Sequence, residues 1–89
     1  MSSSQTTKDH EKIRKWAESR GGRPAAVRAT DAGGKAGILR LDFDPPDQGL
    51  ERITWEEFFR KFDEAGLTFL YQEKTEHGET SRFHKFVRD

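Results

Sequence analysis

The stretch ITWEEFFRKFDEAGL, residues 53–67, carries the strongest structural pattern in the chain. Thr54 is followed three residues later by Glu57, which is the spacing of a capping box at the start of a helix. Gly66 stands where a helix most easily ends in a left-handed residue. We therefore predict a helix between Thr54 and Gly66. One of its faces is aromatic and comprises Trp55, Phe58, Phe59 and Phe62.

A second helix is predicted upstream, over residues 9–20. Ile13, Trp16 and Ala17 fall at the i, i+3 and i+4 positions that place side chains on one face of a helix. The glycines at 21–22 follow this pattern, and glycine is the residue that most readily stops a helix. Each predicted helix therefore ends at glycine and leads into a region of strand-like composition.

Four short strands are predicted, and they span residues 25–30, 37–43, 67–74 and 82–88. In the second of them Leu39, Leu41 and Phe43 alternate with polar residues, as in a half-buried strand. The last two strands carry apolar residues on both faces, so their buried face stays open at this point. The order α-β-β-α-β-β predicts an α+β fold, in which a four-stranded antiparallel sheet has both helices on one face.

The composition and the ends of the chain suggest one small domain. Residues 1–8 contain no apolar residue after Met1, so we expect a disordered N-terminal tail. Residues 9–89 then form a single α+β domain. The chain has no cysteine, which fits a reducing compartment, and no apolar run approaches the roughly 20 residues that span a bilayer. We expect a cytoplasmic protein that does not engage a membrane.

The net charge of the chain is zero, but the charges are unevenly distributed. Residues 8–40 carry nine Lys/Arg and four Asp/Glu, a net of +5, whereas residues 41–66 carry three and eight, a net of −5. Residues 67–89 carry four of each. We favour an arrangement in which the basic and acidic sections face each other within the fold or across a dimer. A basic surface that attracts nucleic acid is the alternative.

Two short motifs invite a ligand-binding interpretation, and their residues argue against it. In DAGGKAG, residues 31–37, Ala36 stands where a phosphate-binding loop needs Ser or Thr, and a strand follows instead of a helix. We therefore predict a hairpin turn there. In DFDPPDQG, residues 42–49, two prolines and the missing glycine do not fit a calcium-binding loop, so we predict a solvated connector.

No arrangement of residues predicts catalysis or a metal site. His10, His77 and His84 do not have the spacing of metal ligands on a helix, and no cysteine can assist them. No serine has the sequence context of a catalytic nucleophile. We therefore expect a protein that is not an enzyme and that uses neither a cofactor nor a small-molecule substrate.

Several segments resemble a group of short bacterial proteins of unknown function, which share the pattern WAE-RGG-PA-V, G-LR-DF, ISW-EFF-KF, L-FLYQ and SRF-K-V. Here the segments read WAESRGGRPAAVRAT, GILRLDF, ITWEEFFRKFDEAGLTFLYQE and SRFHKFV, and the resemblance covers about residues 13–88. Some of these proteins carry a glucan branching enzyme label, but so short a chain cannot hold the barrel and the carboxylates of such an enzyme. The resemblance implies a coherent small family and transfers no catalytic residue.

The predicted fold leaves one face of the sheet uncovered, because both helices lie on the other face. We expect this open face to bind a macromolecular partner. Its candidate residues are Arg28, Arg40, Tyr71, Arg82, His84 and Phe86. A protein partner or a second copy of the chain is favoured. Single-stranded RNA or DNA is the alternative, since arginine and aromatic side chains on a sheet can stack with unpaired bases.

Overall fold

In the computed structural model, residues 4–27 and 38–88 are described. Over these residues the chain forms two helices and six strands in the order β-α-β-β-β-α-β-β. The elements are β1 (Ser4–Thr7), α1 (His10–Glu18), β2 (Arg23–Val27), β3 (Leu39–Asp42), β4 (Leu50–Arg52), α2 (Trp55–Glu64), β5 (Leu67–Gln72) and β6 (His84–Arg88).

The six strands form two antiparallel sheets of three strands each, with the orders β1-β5-β6 and β3-β2-β4. The predicted α+β class is therefore confirmed. The predicted single sheet of four strands and the order α-β-β-α-β-β are wrong. Two strands, β1 and β4, carry no alternation of apolar and polar residues that would predict them. In addition, the two hairpin-like halves of the chain stay in separate sheets.

The first strand corrects the prediction of a disordered tail over residues 1–8. β1 has the sequence SQTT and pairs with β5 in a regular register that places Ser4 opposite Gln72. Threonine suits the strand conformation, and the ladder satisfies the backbone groups without any hydrophobic pattern. Residues 1–3 lie outside the described part of the chain.

The second strand lies earlier in the chain than predicted. β2 begins at Arg23, and residues 28–30 of the predicted strand lie outside the described residues. The same holds for residues 31–37, so the hairpin turn predicted at DAGGKAG stays a prediction. β2 is the central strand of its sheet, because it pairs with β3 on one side and with β4 on the other.

Both helices begin with a side-chain cap. The Asp9 carboxylate accepts a hydrogen bond from the backbone amide of Glu11 at 2.9 Å. The Thr54 hydroxyl accepts from the amide of Glu57 at 3.0 Å, as the capping box predicts. Gly66 after α2 has φ = 66°, the left-handed conformation predicted for the helix end. These local contacts set where each helix begins and where α2 ends.

One hydrophobic core joins the two helices to the inner faces of both sheets. Phe58 and Phe62 of α2 and Ile13 of α1 are among its fully buried side chains. The other buried members are Trp16, Ala17, Leu39, Leu41, Phe59, Phe69 and Tyr71. Because this core draws on β3 and on β5 alike, it holds the two sheets next to each other.

Candidate functional site

Two strands that belong to different sheets, β3 and β6, line one cleft. Each of them is the edge strand of its own sheet. β3 contributes Leu39 and Arg40 to the lining, and β6 contributes His84, Phe86 and Arg88. The cleft has a volume of about 690 Å³, which lies within the range of about 300–1,000 Å³ that is typical of ligand-binding clefts.

The two ends of the cleft differ. At one end the ring of Phe43 approaches the ring of His84, with 5.9 Å between their centroids. The guanidinium of Arg82 lies 5.3 Å from the same Phe43 ring. At the other end Ile38 is 60% exposed. A bound group therefore has access from the side of Ile38.

The lining combines apolar and basic side chains. Ala65 and Leu67 extend the apolar lining that begins with Leu39 and Phe86. The basic residues come from three elements and are Arg40, Lys61, Lys85 and Arg88. Among the described residues that line the cleft, none is acidic. The lining therefore favours a ligand that carries negative charge as well as apolar groups.

Two of the four basic side chains already have a partner within the chain. The Nζ atom of Lys61 lies 3.6 Å from an Oε atom of Glu57, which offsets part of its charge. Arg40 donates a hydrogen bond to the carbonyl oxygen of Leu39 at 3.1 Å and remains exposed. The carbonyl neutralises none of the charge of Arg40, so this guanidinium keeps its attraction for an anion.

His84 is the titratable group at the end of the cleft near Phe43. Burial lowers the pKa of its imidazole below the usual value. The Arg82 carbonyl, 2.9 Å from Nδ1, opposes this shift, and the positive charge of Arg40 adds to it. The ring also lies against Trp16, with 5.4 Å between centroids. His84 is therefore neutral at neutral pH and contributes shape rather than charge.

The backbone of β6 directs hydrogen-bonding groups into the cleft. The amide of Gln72 in β5 donates to the carbonyl of Phe83 at 3.2 Å, so the backbone of Phe83 faces β5. Successive residues of an antiparallel strand direct their N–H and C=O groups to opposite sides. His84, Phe86 and Arg88 therefore turn theirs away from β5. These backbone groups therefore lie along the edge of β6 that does not pair with β5.

The structure divides the candidate residues of the predicted binding face. It brings Arg40, His84 and Phe86 together in the cleft. Tyr71 is only 6% exposed and lies in the core, where its ring stacks on Phe69. Tyr71 does not lie on an open face because β5 turns it, together with Phe69, toward the helices.

The two remaining candidates lie apart from this group. Arg82 is exposed and lies against the Phe43 ring, outside the lining of the cleft. Arg28 lies outside the described residues, so its place in the predicted face stays a prediction. The face of β6 that points away from the helices exposes Phe83 and Val87 instead, at 45% and 36%.

Sequence reasoning did not identify the other residues of the cleft. In the sequence, the spacing of Lys61 and Glu57 indicates an ion pair on a helix. Leu67 follows Gly66, the predicted end of that helix. Arg88 closes a strand whose inner face is ambiguous in the sequence. The alternation in FHKFVR could have identified the lining residues of β6. It places His84, Phe86 and Arg88 on one face of the strand and Lys85 on the other.

A cluster of potential metal ligands and a membrane-spanning helix are both absent from the described residues. Within residues 4–27 and 38–88, no cluster of three or more potential metal ligands is present. Neither helix in these ranges has the length and apolar character needed to cross a membrane. No family model, no curated protein and no solved structure is significantly similar to the chain.

Proposed function

We propose that the protein is a small non-enzymatic binding module that engages a protein partner through the cleft between β3 and β6. The observation that carries this proposal is the combination of an apolar and basic lining with two strand edges. The proposed binding surface is the cleft and not the open sheet face that the sequence predicts, because Tyr71 is buried. We place this binding in the cytoplasm, since a chain without cysteine has no disulfide to lose in a reducing compartment.

A protein partner is favoured over nucleic acid by the position of the aromatic rings. Unpaired bases stack on exposed aromatic faces. In this protein the Phe86 ring packs against Phe58 at 5.8 Å, and the His84 ring packs against Trp16. The basic side chains alone would hold phosphates without recognising bases.

A different protein is favoured over a second copy by the charge of the lining. Two copies that meet cleft to cleft would bring together Arg40, Lys85 and Arg88 of each, and like charges in an interface are costly. A partner with acidic side chains gains from the same groups. The proposal is therefore a heterotypic contact.

Site-specific photo-crosslinking in cells of the native host tests the position of the partner. One variant carries p-benzoyl-phenylalanine at Ile38, which is 60% exposed at the accessible end of the cleft. The matched control carries the same probe at Phe83, which is 45% exposed on the other side of β6. We expect a discrete protein adduct from position 38, in higher yield than from position 83. We also expect Arg40→Glu to reduce the yield of this adduct.

Three outcomes would overturn the proposal. An adduct from position 83 and none from position 38 would return the site to the outer sheet face. Adducts that contain nucleic acid would favour the alternative function. A homodimer as the main product from position 38 would show that a second copy occupies the cleft.

A further inference from the structure

We propose that the group bound in the cleft is an extended acidic segment of the partner, which adds as a strand to the free edge of β6. This inference rests on the proposed function and names the chemistry of the partner. An added strand gains main-chain hydrogen bonds from the edge and specificity from its alternate side chains. Both sources of binding are present in this cleft.

The edge of β6 is better suited to pairing than the edge of β3. The amide of Val27 donates to the carbonyl of Ile38 at 2.8 Å, so the next residue, Leu39, turns its backbone away from β2. The carbonyl of Leu39 then already accepts from Arg40. β6 is likewise an edge strand, and β5 is its single neighbouring strand among the described residues. β3 is therefore the opposite wall, and β6 is the strand that receives the partner.

The dimensions fit a short strand. β6 extends over five residues, from His84 to Arg88, which corresponds to about 16 Å at roughly 3.3 Å per residue. The side chain of His84 already caps the Arg82 carbonyl at 2.9 Å, so the free edge begins at His84. The backbones of His84, Phe86 and Arg88 offer their groups to an incoming chain.

The side chains of the cleft define an alternating partner sequence. Phe86 and Leu39 face the core, so Lys85 and Arg40, each one position along, point to the outer side. A strand between them directs alternate residues to these two sides. Apolar residues of the partner then contact Leu39 and Phe86, and acidic residues meet Arg40 and Lys85. The segment recognised has the pattern acidic–apolar–acidic–apolar.

The test uses purified protein and a fluorescein-labelled peptide of sequence EVEVEVEV. Fluorescence anisotropy measures affinity, and amide hydrogen exchange followed by NMR measures where the peptide pairs. We expect binding that slows exchange at the amides of Phe86 and Arg88. The amides of Lys85 and Val87 face β5 and serve as internal controls, with no change expected.

Two control peptides separate backbone pairing from charge. A version that is N-methylated at alternate backbone positions keeps the charge and loses the donors, and we expect it to bind at least about tenfold more weakly. The peptide KVKVKVKV keeps the alternation and reverses the charge, and we expect no measurable binding. Equal binding of the N-methylated peptide would show attraction by charge alone and would overturn the strand pairing.

Charge reversals in the protein test the outer side of the cleft. We expect Arg40→Glu and Lys85→Glu each to raise the Kd of EVEVEVEV by about tenfold. Arg60→Glu makes the same change at an exposed position of α2 that does not line the cleft, so it should alter the Kd by less than about twofold. Circular dichroism confirms that each variant is folded. If Arg60→Glu weakened binding as much as the other two, the attraction would be non-specific and the inference would fail.

The remaining outcomes separate this inference from the proposed function. If EVEVEVEV does not bind, or binds without protecting Phe86, the strand addition is wrong. A protein adduct from position 38 would still support the cleft as a binding site in that case. Slowed exchange at Phe86 that depends on protein concentration and needs no peptide would show that a second copy takes this place. Competition by a single-stranded oligonucleotide at equal affinity would likewise overturn the inference.

Discussion

Two regions beside β6 use arginine in opposite ways. Before β6, Arg20 is buried, with its side chain 6% exposed, and it donates to the backbone carbonyls of Trp16, Glu73 and Ser81. In β3, which faces β6 across the cleft, Arg40 is exposed, and within the described residues it donates to its neighbour Leu39. We refer to the first region as the Arg20 clamp.

The difference shows how the same side chain can serve structure or binding. The Arg20 guanidinium also lies 4.3 Å from the centroid of the Trp16 ring, so it ties α1 to the segment between β5 and β6. Its donors are directed to carbonyls that would otherwise lose their hydrogen bonds on burial. Among the described residues, no such set of carbonyls surrounds Arg40, and this side chain is exposed to solvent. Arg20, with several carbonyl partners, joins elements of the fold, whereas Arg40 keeps its charge exposed to solvent.

The largest effect is expected from a core residue that packs against the cleft. Phe62 is 1% exposed, and its ring lies 6.4 Å from that of Phe86 in the cleft. Phe62→Ala should lower the free energy of unfolding by about 3–5 kcal/mol, because it leaves a cavity in the core. Urea unfolding followed by tryptophan fluorescence measures this loss. Phe83→Ala, at an exposed position, is the control, and a similar loss there would contradict the core described here.

The Arg20 clamp predicts the next largest effect. Arg20→Ala should cost about 2–3 kcal/mol, since three backbone carbonyls, of which those of Trp16 and Ser81 are partly buried, lose a charged donor at once. Arg14→Ala in α1 removes an exposed ion pair with Glu11 and should cost less than about 1 kcal/mol. Thermal unfolding of the two variants measures the difference. Equal losses in the two variants would mean that the Arg20 clamp stabilises the fold no more than the surface ion pair does.

The neutral state of His84 predicts a pH effect on stability. Its pKa is lowered in the folded protein, first by burial, so the unfolded chain binds the proton more readily. Stability contributed by His84 is therefore complete above the unfolded pKa of about 6.5 and declines as the pH falls toward the folded value. We expect the Tm to fall between about pH 8 and pH 5. The fall should be smaller in His84→Gln, and an unchanged fall in this variant would assign the effect to other groups.

The smallest effect on stability is expected at the cleft. Arg40→Ala removes an exposed side chain with one hydrogen bond, so the free energy of unfolding should change by no more than about 0.5 kcal/mol. The same urea unfolding measures it beside Arg20→Ala. A cost as large as that of Arg20→Ala would mean that Arg40 is a structural joint, and the contrast between the two regions would disappear.

The parts of the fold that the sequence predicts are those set by neighbouring residues. The capping contact between Thr54 and Glu57, the aromatic face of α2 and the left-handed Gly66 all depend on spacing within a few residues. The Arg20 clamp was not predicted, because it joins residues such as Arg20 and Ser81 that are far apart in the chain.

The cleft could be predicted only in part, for a related reason. Arg40, His84 and Phe86 were chosen for their chemistry, and the structure brings them together. Their shared face was predicted wrongly for the aromatic residues, since β5 and β6 have apolar residues on both faces. Whether β3 and β6 pair with each other depends on how the helices position the two sheets. No local sequence pattern predicts that position.

The pairing of β1 with β5 has a consequence for how the protein is made. Ser4 is synthesised before its partner Gln72, which lies 68 positions later in the chain. Chains are synthesised from the N-terminus, so β1 has no partner strand until β5 has left the ribosome. Pairings of such long sequence separation also slow folding, because the loop between them must close first. The polar sequence SQTT suits that delay, since it exposes no apolar surface to other nascent chains while it waits.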